Sequence, residues 1–246
     1  MWDLWRISVP RPWRTSCVAT ALACCTCASS AWAVFQDSFD GPDLLPQWLL
    51  PDPADWSYSV SGGMLNVTGL HYPSSPPANH AGMGAAFTPL QDFRTDVWMG
   101  WGSGETPHRL AFEISAGPGG GSIISSIIYS HETWRGPNPV LSLSTGGGGN
   151  LVIHAPPAGI VHHFTIERIG ANVRFYLEDA LVATLPDPWG FRAQGVGLLF
   201  LGPYSGQFGG FQVDRIEIVP STPTAFAFTC ATLSFVARRR RRDVNP

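Results

Sequence analysis

Acidic side chains are the first candidates for chemistry, because acid–base catalysis by carboxyls needs two of them converging on one reacting atom. Glu178 and Asp179 are adjacent, so on an extended strand they point to opposite faces. Asp187 stands between Pro186 and Pro188, while Glu113 and Glu132 lie on separate segments. No alternating run of acids places two carboxyls on one strand face, and no catalytic residue is assigned. His162 and His163 raise the question of a metal, but strand neighbours diverge and no third ligand stands at a telling spacing. They read as structural or surface histidines. The aromatics are Trp48, Trp56, Trp98, Trp101, Trp134, Trp189 and Tyr204. An aromatic ring with a few polar partners can hold the apolar face of a sugar. Trp56, Trp98 and Trp101 fall inside alternating strands, where a core accounts for them at least in part. Trp134, Trp189 and Tyr204 are the candidate ligand-binding residues, the two tryptophans because a loop aromatic is not required by a strand core.

The elements that must position these residues are strands. No stretch between the two ends sustains a 3.6-residue period, whereas two-residue alternation recurs. Trp56, Tyr58 and Val60 share a face, and after Ser61-Gly62-Gly63 the chain returns through Leu65 and Val67 as a hairpin. Alternation continues in Val97, Met99 and Trp101, and in Leu110, Phe112 and Ile114 with Glu113 opposite. Leu141 and Leu143 precede the turn Gly146 to Gly149, which leads into Leu151 and Ile153. Phe164 and Ile166 precede the turn Gly170-Ala171-Asn172, followed by Val173, Phe175 and Leu177. Val196, Leu198 and Phe200 form a further strand. In Phe211, Val213, Ile216 and Ile218 the phase slips by one residue, which predicts a β-bulge near Asp214.

The chain has 246 residues, 44% hydrophobic and 13% charged, enough for one sizeable all-β domain once the ends are set aside. Between residues 34 and 219 it has seven Arg, no Lys and sixteen acids, a balance that argues against nucleic acid. Cys17, Cys24, Cys25, Cys27 and Cys230 all lie in the two apolar ends, so the middle has neither disulfide nor thiolate metal site. Residues 1–33 carry Arg6, Arg11 and Arg14, an apolar run from Cys17 to Ala28 and then Ala31-Trp32-Ala33, the three regions of a secretory signal peptide, with signal peptidase as the implied partner. At the other end, residues 220–246 hold an apolar run, Ala225 to Ala237, followed by Arg238 to Arg242. An apolar helix abutting a basic cluster is held with the cluster on the cytoplasmic side.

That end resembles the PEP-CTERM sorting tail, with Val219, Pro220 and Pro223 in place of Pro-Glu-Pro and Arg238, Arg239, Arg240, Arg241 and Arg242 as the terminal cluster. The resemblance implies an exosortase-like processing enzyme, transient membrane association and an envelope or extracellular location. Phe35-Gln36-Asp37-Ser38-Phe39-Asp40-Gly41 with Trp48 and Trp56 to Val67, His162 to Asp179, and Phe211 to Ile218 together resemble concanavalin A-like lectin/glucanase (laminin G-like) domains. What the resemblance implies is a jelly-roll β-sandwich of two antiparallel sheets over residues 34–219, flanked by a signal helix and a short apolar helix. One departure is Ala180, where the family commonly has Gly, which would hinder a tight turn. Asp37, Asp40 and Asp214 lie on first and last strands that this fold sets side by side, so a structural Ca²⁺ is conceivable, although turn-forming and edge-solvating carboxylates explain them too. Hydrolases of the family use two or three acids alternating on one strand, a run absent here. The expectation is therefore an exported, non-enzymatic carbohydrate- or matrix-binding module without cofactor; a structural surface protein or a divergent glycoside hydrolase are the alternatives.

Overall fold

The computed structural model describes residues 33–50, 56–69, 80–101, 108–117, 122–131, 138–201 and 211–221. The described residues form fifteen strands: β1 (Phe35–Asp37), β2 (Trp48–Leu49), β3 (Trp56–Ser61), β4 (Met64–Gly69), β5 (His80–Leu90), β6 (Phe93–Trp101), β7 (His108–Ser115), β8 (Ile123–His131), β9 (Val140–Thr145), β10 (Asn150–His154), β11 (His162–Ile169), β12 (Asn172–Leu177), β13 (Ala180–Pro186), β14 (Ala193–Leu201) and β15 (Phe211–Pro220). They make two antiparallel sheets. One has eight strands in the order β13-β12-β11-β6-β15-β4-β3, with β1 added against β15; the other has seven, β10-β9-β8-β7-β14-β5-β2. The expected two-sheet jelly-roll sandwich is the observed fold. No helix among the described residues is long and apolar enough to cross a membrane.

Alternation explains how the sheets close on each other. In β6, Val97, Met99 and Trp101 point inward; in β7, Leu110, Phe112 and Ile114 do; in β14, Val196 and Leu198 do, and all are buried. They meet Leu65, Phe164, Ile166, Phe175, Ile216 and Ile218 from the eight-stranded sheet. At about 25 cal/mol per Å² of apolar surface, such burial is the main term holding two sheets together in the absence of disulfides.

The β3–β4 hairpin turns through Gly62 and Gly63 at φ 63° and 73°, a left-handed pair that glycine adopts without steric cost. The slip in β15 is a bulge, with the register to β6 shifting between Val213 and Arg215. Glu178 and Asp179 are not a strand pair. They are the two-residue β12–β13 turn, at φ 48° and 64°, so the tight turn forms despite Ala180. Non-glycine residues in this region are strained by about 1 kcal/mol or more each, and contacts hold them: Glu178 N–H donates to the His163 carbonyl at 2.9 Å, and the Glu178 carboxylate lies 3.0 Å from His162 Nδ1. Val219 and Pro220 belong to β15, paired with Arg94 and Phe93, and the Ser221 N–H donates to the Asp92 carbonyl. Pro223 and Arg238 to Arg242 lie outside the described residues, as do residues 1–32.

A buried ion pair fastens one rim. Arg168 on β11 is fully buried, and its Nη2 lies 3.1 Å from Asp187 Oδ2, itself 3% exposed. Arg168 Nη1 also donates to the Phe191 carbonyl. The bend that carries Trp189 is thereby tied to the middle of the sandwich.

Candidate functional site

One row on the outward face of the seven-stranded sheet carries mostly small side chains. Pairing registers align one row across all seven strands: Leu49 opposite Gly84, Gly84 opposite Gly197, Gly197 opposite Glu113, Glu113 opposite Ser126, Ser126 opposite Ser144 and Ser144 opposite Asn150. Directly opposed residues share a face. At about 4.8 Å per strand the row is roughly 29 Å long. Surface strands ordinarily carry long or charged residues; here two glycines and two serines flank one carboxyl, with the Leu199 side chain lying beside Gly82 and Gly197.

That carboxyl is Glu113, on β7, the central strand. It is 8% exposed, and none of the described residues gives its side chain a hydrogen bond or ion pair. The neighbouring Ser126 hydroxyl is engaged with Ser144 Oγ at 2.7 Å. Burial without a partner penalises the charged form, and the Glu113 pKa is pushed up from 4.5 to about 7. No other strand residue of this sheet is Asp or Glu. The arrangement is a carboxylic acid that keeps its proton near neutral pH, set among buried small residues on the central strand, and a raised pKa of this kind is what a general acid requires.

The opposite face, on the eight-stranded sheet, is closed by its own side chains. Trp98 stacks on His163 with centroids 4.3 Å apart and rings 6° from parallel, and Arg215 covers the ring at 5.4 Å. His163 and Arg215 come from the strands on either side of β6, so Trp98 offers no free ring. His163 Nε2 lies 2.9 Å from Asp96 Oδ1, and Thr165 donates to the same oxygen at 2.6 Å. Burial works to raise the Asp96 pKa, yet hydrogen bonds from Arg94, Thr165 and His163 hold it below its ordinary value. His162 faces the other way, into the core beside Trp101. The two histidines diverge as strand neighbours must.

The remaining sequence candidates are dispersed. Asp37 has one oxygen occupied by the Trp48 indole N–H at 2.7 Å and the other by the Phe39 N–H at 2.9 Å. Asp40 accepts from Ser38 Oγ and is exposed, as is Asp214. Among the described residues no group of three His, Cys, Asp or Glu could hold a metal ion, so the three aspartates are not brought together as a Ca²⁺ site. Trp189 is 56% exposed at the rim, edge-on to Phe191 with centroids 5.8 Å apart; it is not on the Glu113 row. Trp134 and Tyr204 lie outside the described residues.

No family model matches the chain, and no curated protein matches its sequence. Solved structures do match its fold. The laminarinase catalytic domain of Thermotoga maritima superposes with a TM-score of 0.56 at 14% identity, over 78% of this chain and 98% of that one. The fold is a concanavalin A-like jelly roll. The CBM2 module of the evolved Dit protein of Lactobacillus casei phage J-1 gives 0.57 at 11% identity, over 78% of this chain and 97% of the module. A sialidase gives 0.54 at 11% identity, with the jelly roll covering 73% of this chain but only 17% of the sialidase.

The expectation that the domain is not an enzyme is corrected by these neighbours. Glycosidases recur among them, including an endo-β-galactosidase and a β-1,3-1,4-glucanase, so the jelly roll is compatible with catalysis. Sequence reasoning kept a divergent glycoside hydrolase only as an alternative, for want of an alternating acid run. It weighed Glu113 as a carboxyl isolated on its own segment and missed its burial at the centre of the aligned row.

Proposed function

We propose that the jelly roll is an exported polysaccharide-acting domain. It hydrolyses a glycan laid across the Gly84–Asn150 row, with Glu113 donating a proton to the departing glycosidic oxygen. The observation that carries this reading is the buried Glu113 carboxyl, without a partner among the described residues, on the central strand between Gly197 and Ser126. Protonated near neutral pH, it suits the general acid of glycoside hydrolysis, whose second carboxyl stands roughly 5 to 9.5 Å away according to stereochemical course. No strand residue of this sheet other than Glu113 is Asp or Glu, so the second role falls to a residue outside these strands. Export by the N-terminal segment and membrane association through the apolar Ala225–Ala237 segment and its Arg cluster belong to the same proposal, supported by their order along the sequence.

β-1,3-Glucans and mixed-linkage β-glucans are the first substrates to test, because the laminarinase and glucanase neighbours are named for them. Release of new reducing ends is expected from the wild-type protein. Loss of general-acid catalysis in Glu113→Gln is expected to lower the rate by about 10²- to 10⁴-fold. Undiminished activity in Glu113→Gln, or binding with no cleavage of any glycan by the folded protein, overturns the hydrolytic reading.

A further inference from the structure

The rim that carries Trp189 is also the rim where the described chain ends. Ser221 N–H donates to the Asp92 carbonyl, the neighbouring Gln91 Nε2 donates to the Gly190 carbonyl at 3.3 Å, and Gly190 separates Trp189 from Phe191. Trp189 and Phe191 are 56% and 42% exposed and pack edge-to-face. Their bend is fixed from beneath by the buried Arg168–Asp187 pair and the Arg168 bond to the Phe191 carbonyl. An exposed aromatic pair is costly in water, and a rigid mount implies that its position matters.

Chain length supplies the occupant. From Ser221 to the start of the apolar segment at Ala225 is four residues, a reach of at most about 14 Å. The segment Ala225–Ala237, thirteen residues long, spans ~20 Å as a helix, short of the roughly 30 Å hydrocarbon core of a bilayer. With Arg238 to Arg242 held at the far headgroups, so short a segment has no slack and draws its outer flank into the near interface.

The geometry points to this rim as a membrane-contact surface: when the tail is inserted, Trp189 and Phe191 sit in the headgroup region of the outer leaflet. Trp and Phe favour this zone, where an amphipathic or apolar ring leaves water without entering the hydrocarbon. The sandwich then stands on end. β15, ten residues long, holds the far rim roughly 30 Å from the bilayer. This inference rests on the membrane association of the tail and is independent of catalysis.

The test uses the full chain with its cysteines changed to serine and an environment-sensitive fluorophore on a single new cysteine. Arg192→Cys labels the tail-side rim, and Ile160→Cys, exposed in the segment before β11, labels the far end. Each protein is incorporated into phosphatidylcholine/phosphatidylglycerol vesicles containing a headgroup nitroxide lipid. The label at 192 is expected to be quenched several-fold more than the label at 160, with the difference reduced when Trp189→Ala and Phe191→Ala are added. Proteins that float with vesicles but show equal quenching at both sites refute the rim contact while leaving tail insertion intact. Proteins that fail to float refute tail insertion and the contact with it. Neither result bears on Glu113.

Discussion

Replacing Glu113 by Gln removes a titrating group while keeping its shape and the neutral form it holds when buried. In the folded protein the carboxyl keeps its proton up to about 7, whereas its ordinary value is 4.5. A group whose folded pKa is raised contributes stability that is fully present below the unfolded pKa and is lost as pH rises through the folded one. The interval from 4.5 to about 7, at 1.36 kcal/mol for each tenfold change in proton activity, amounts to roughly 3 kcal/mol. Wild type and Glu113→Gln should therefore differ by a constant amount below pH 4.5. Across the window wild type should fall progressively behind by about 3 kcal/mol, and above about pH 7.5 the difference should be constant again. Urea unfolding followed by tryptophan fluorescence at closely spaced pH values measures this, and the difference between variants cancels every other titrating group that does not sense residue 113. Its solvent exposure is 8%, so screening leaves most of the effect in place. A difference curve flat from pH 4 to 8.5 would refute the reasoning, because it would mean that the carboxyl is hydrated or paired in solution.

Three further outcomes follow from packing. Asp187→Asn leaves the Arg168 charge buried without its counter-ion and should cost about 3 to 5 kcal/mol in thermal or urea unfolding; joint replacement by apolar residues, Arg168→Met with Asp187→Leu, should recover much of that. Gly146→Ala places a methyl 2.0 Å from the Ile123 carbonyl oxygen, so the β9–β10 turn must shift, at a cost of ~1 to 3 kcal/mol visible as a lowered melting temperature. Asp179→Gly removes a non-glycine residue from φ 64°, and its stability should rise by up to ~1 kcal/mol; a loss instead would show that the 3.6 Å contact with His163 outweighs the backbone strain.

Local signals made much of the fold legible, and non-local ones hid the site. The β3–β4 hairpin announces itself because large residues alternate on both sides of Gly62-Gly63. The bulge near Asp214 shows as a one-residue slip between Val213 and Ile216, since a sheet face cannot change phase without one. β5 leaves no such trace. Gly82, Gly84, Ala85 and Ala86 offer neither bulk nor alternation, and its strand state is imposed by pairing with β14. In β8, the doublets Ile123-Ile124, Ser125-Ser126 and Ile127-Ile128 blur the two-residue period, and the register to β7 shifts beside them. Glu113 is plainly on the outward face in sequence, but its burial and its small neighbours, Gly197 and Ser126, come from strands distant along the chain. A signal for this was present: Gly195 and Gly197, and Ser142 and Ser144, recur at period two, and Ser126 and Ser130 at four, on outward positions where a solvated strand usually carries long polar side chains. The turn at Glu178-Asp179 is less legible because Glu, unlike Asp, has little preference for left-handed backbone, and contacts from His162 and His163 hold the pair there.

The central claim is that a glycan lies across the Gly84–Asn150 row with Glu113 at its reacting bond. A crystal structure of Glu113→Gln soaked with a β-glucan oligosaccharide tests it most directly. The account predicts sugar rings crossing β14, β7 and β8, with a glycosidic oxygen within hydrogen-bond distance of the residue 113 side chain. Sugar seated instead on the Trp98 face or only at the Trp189 rim, with the row empty, would contradict it.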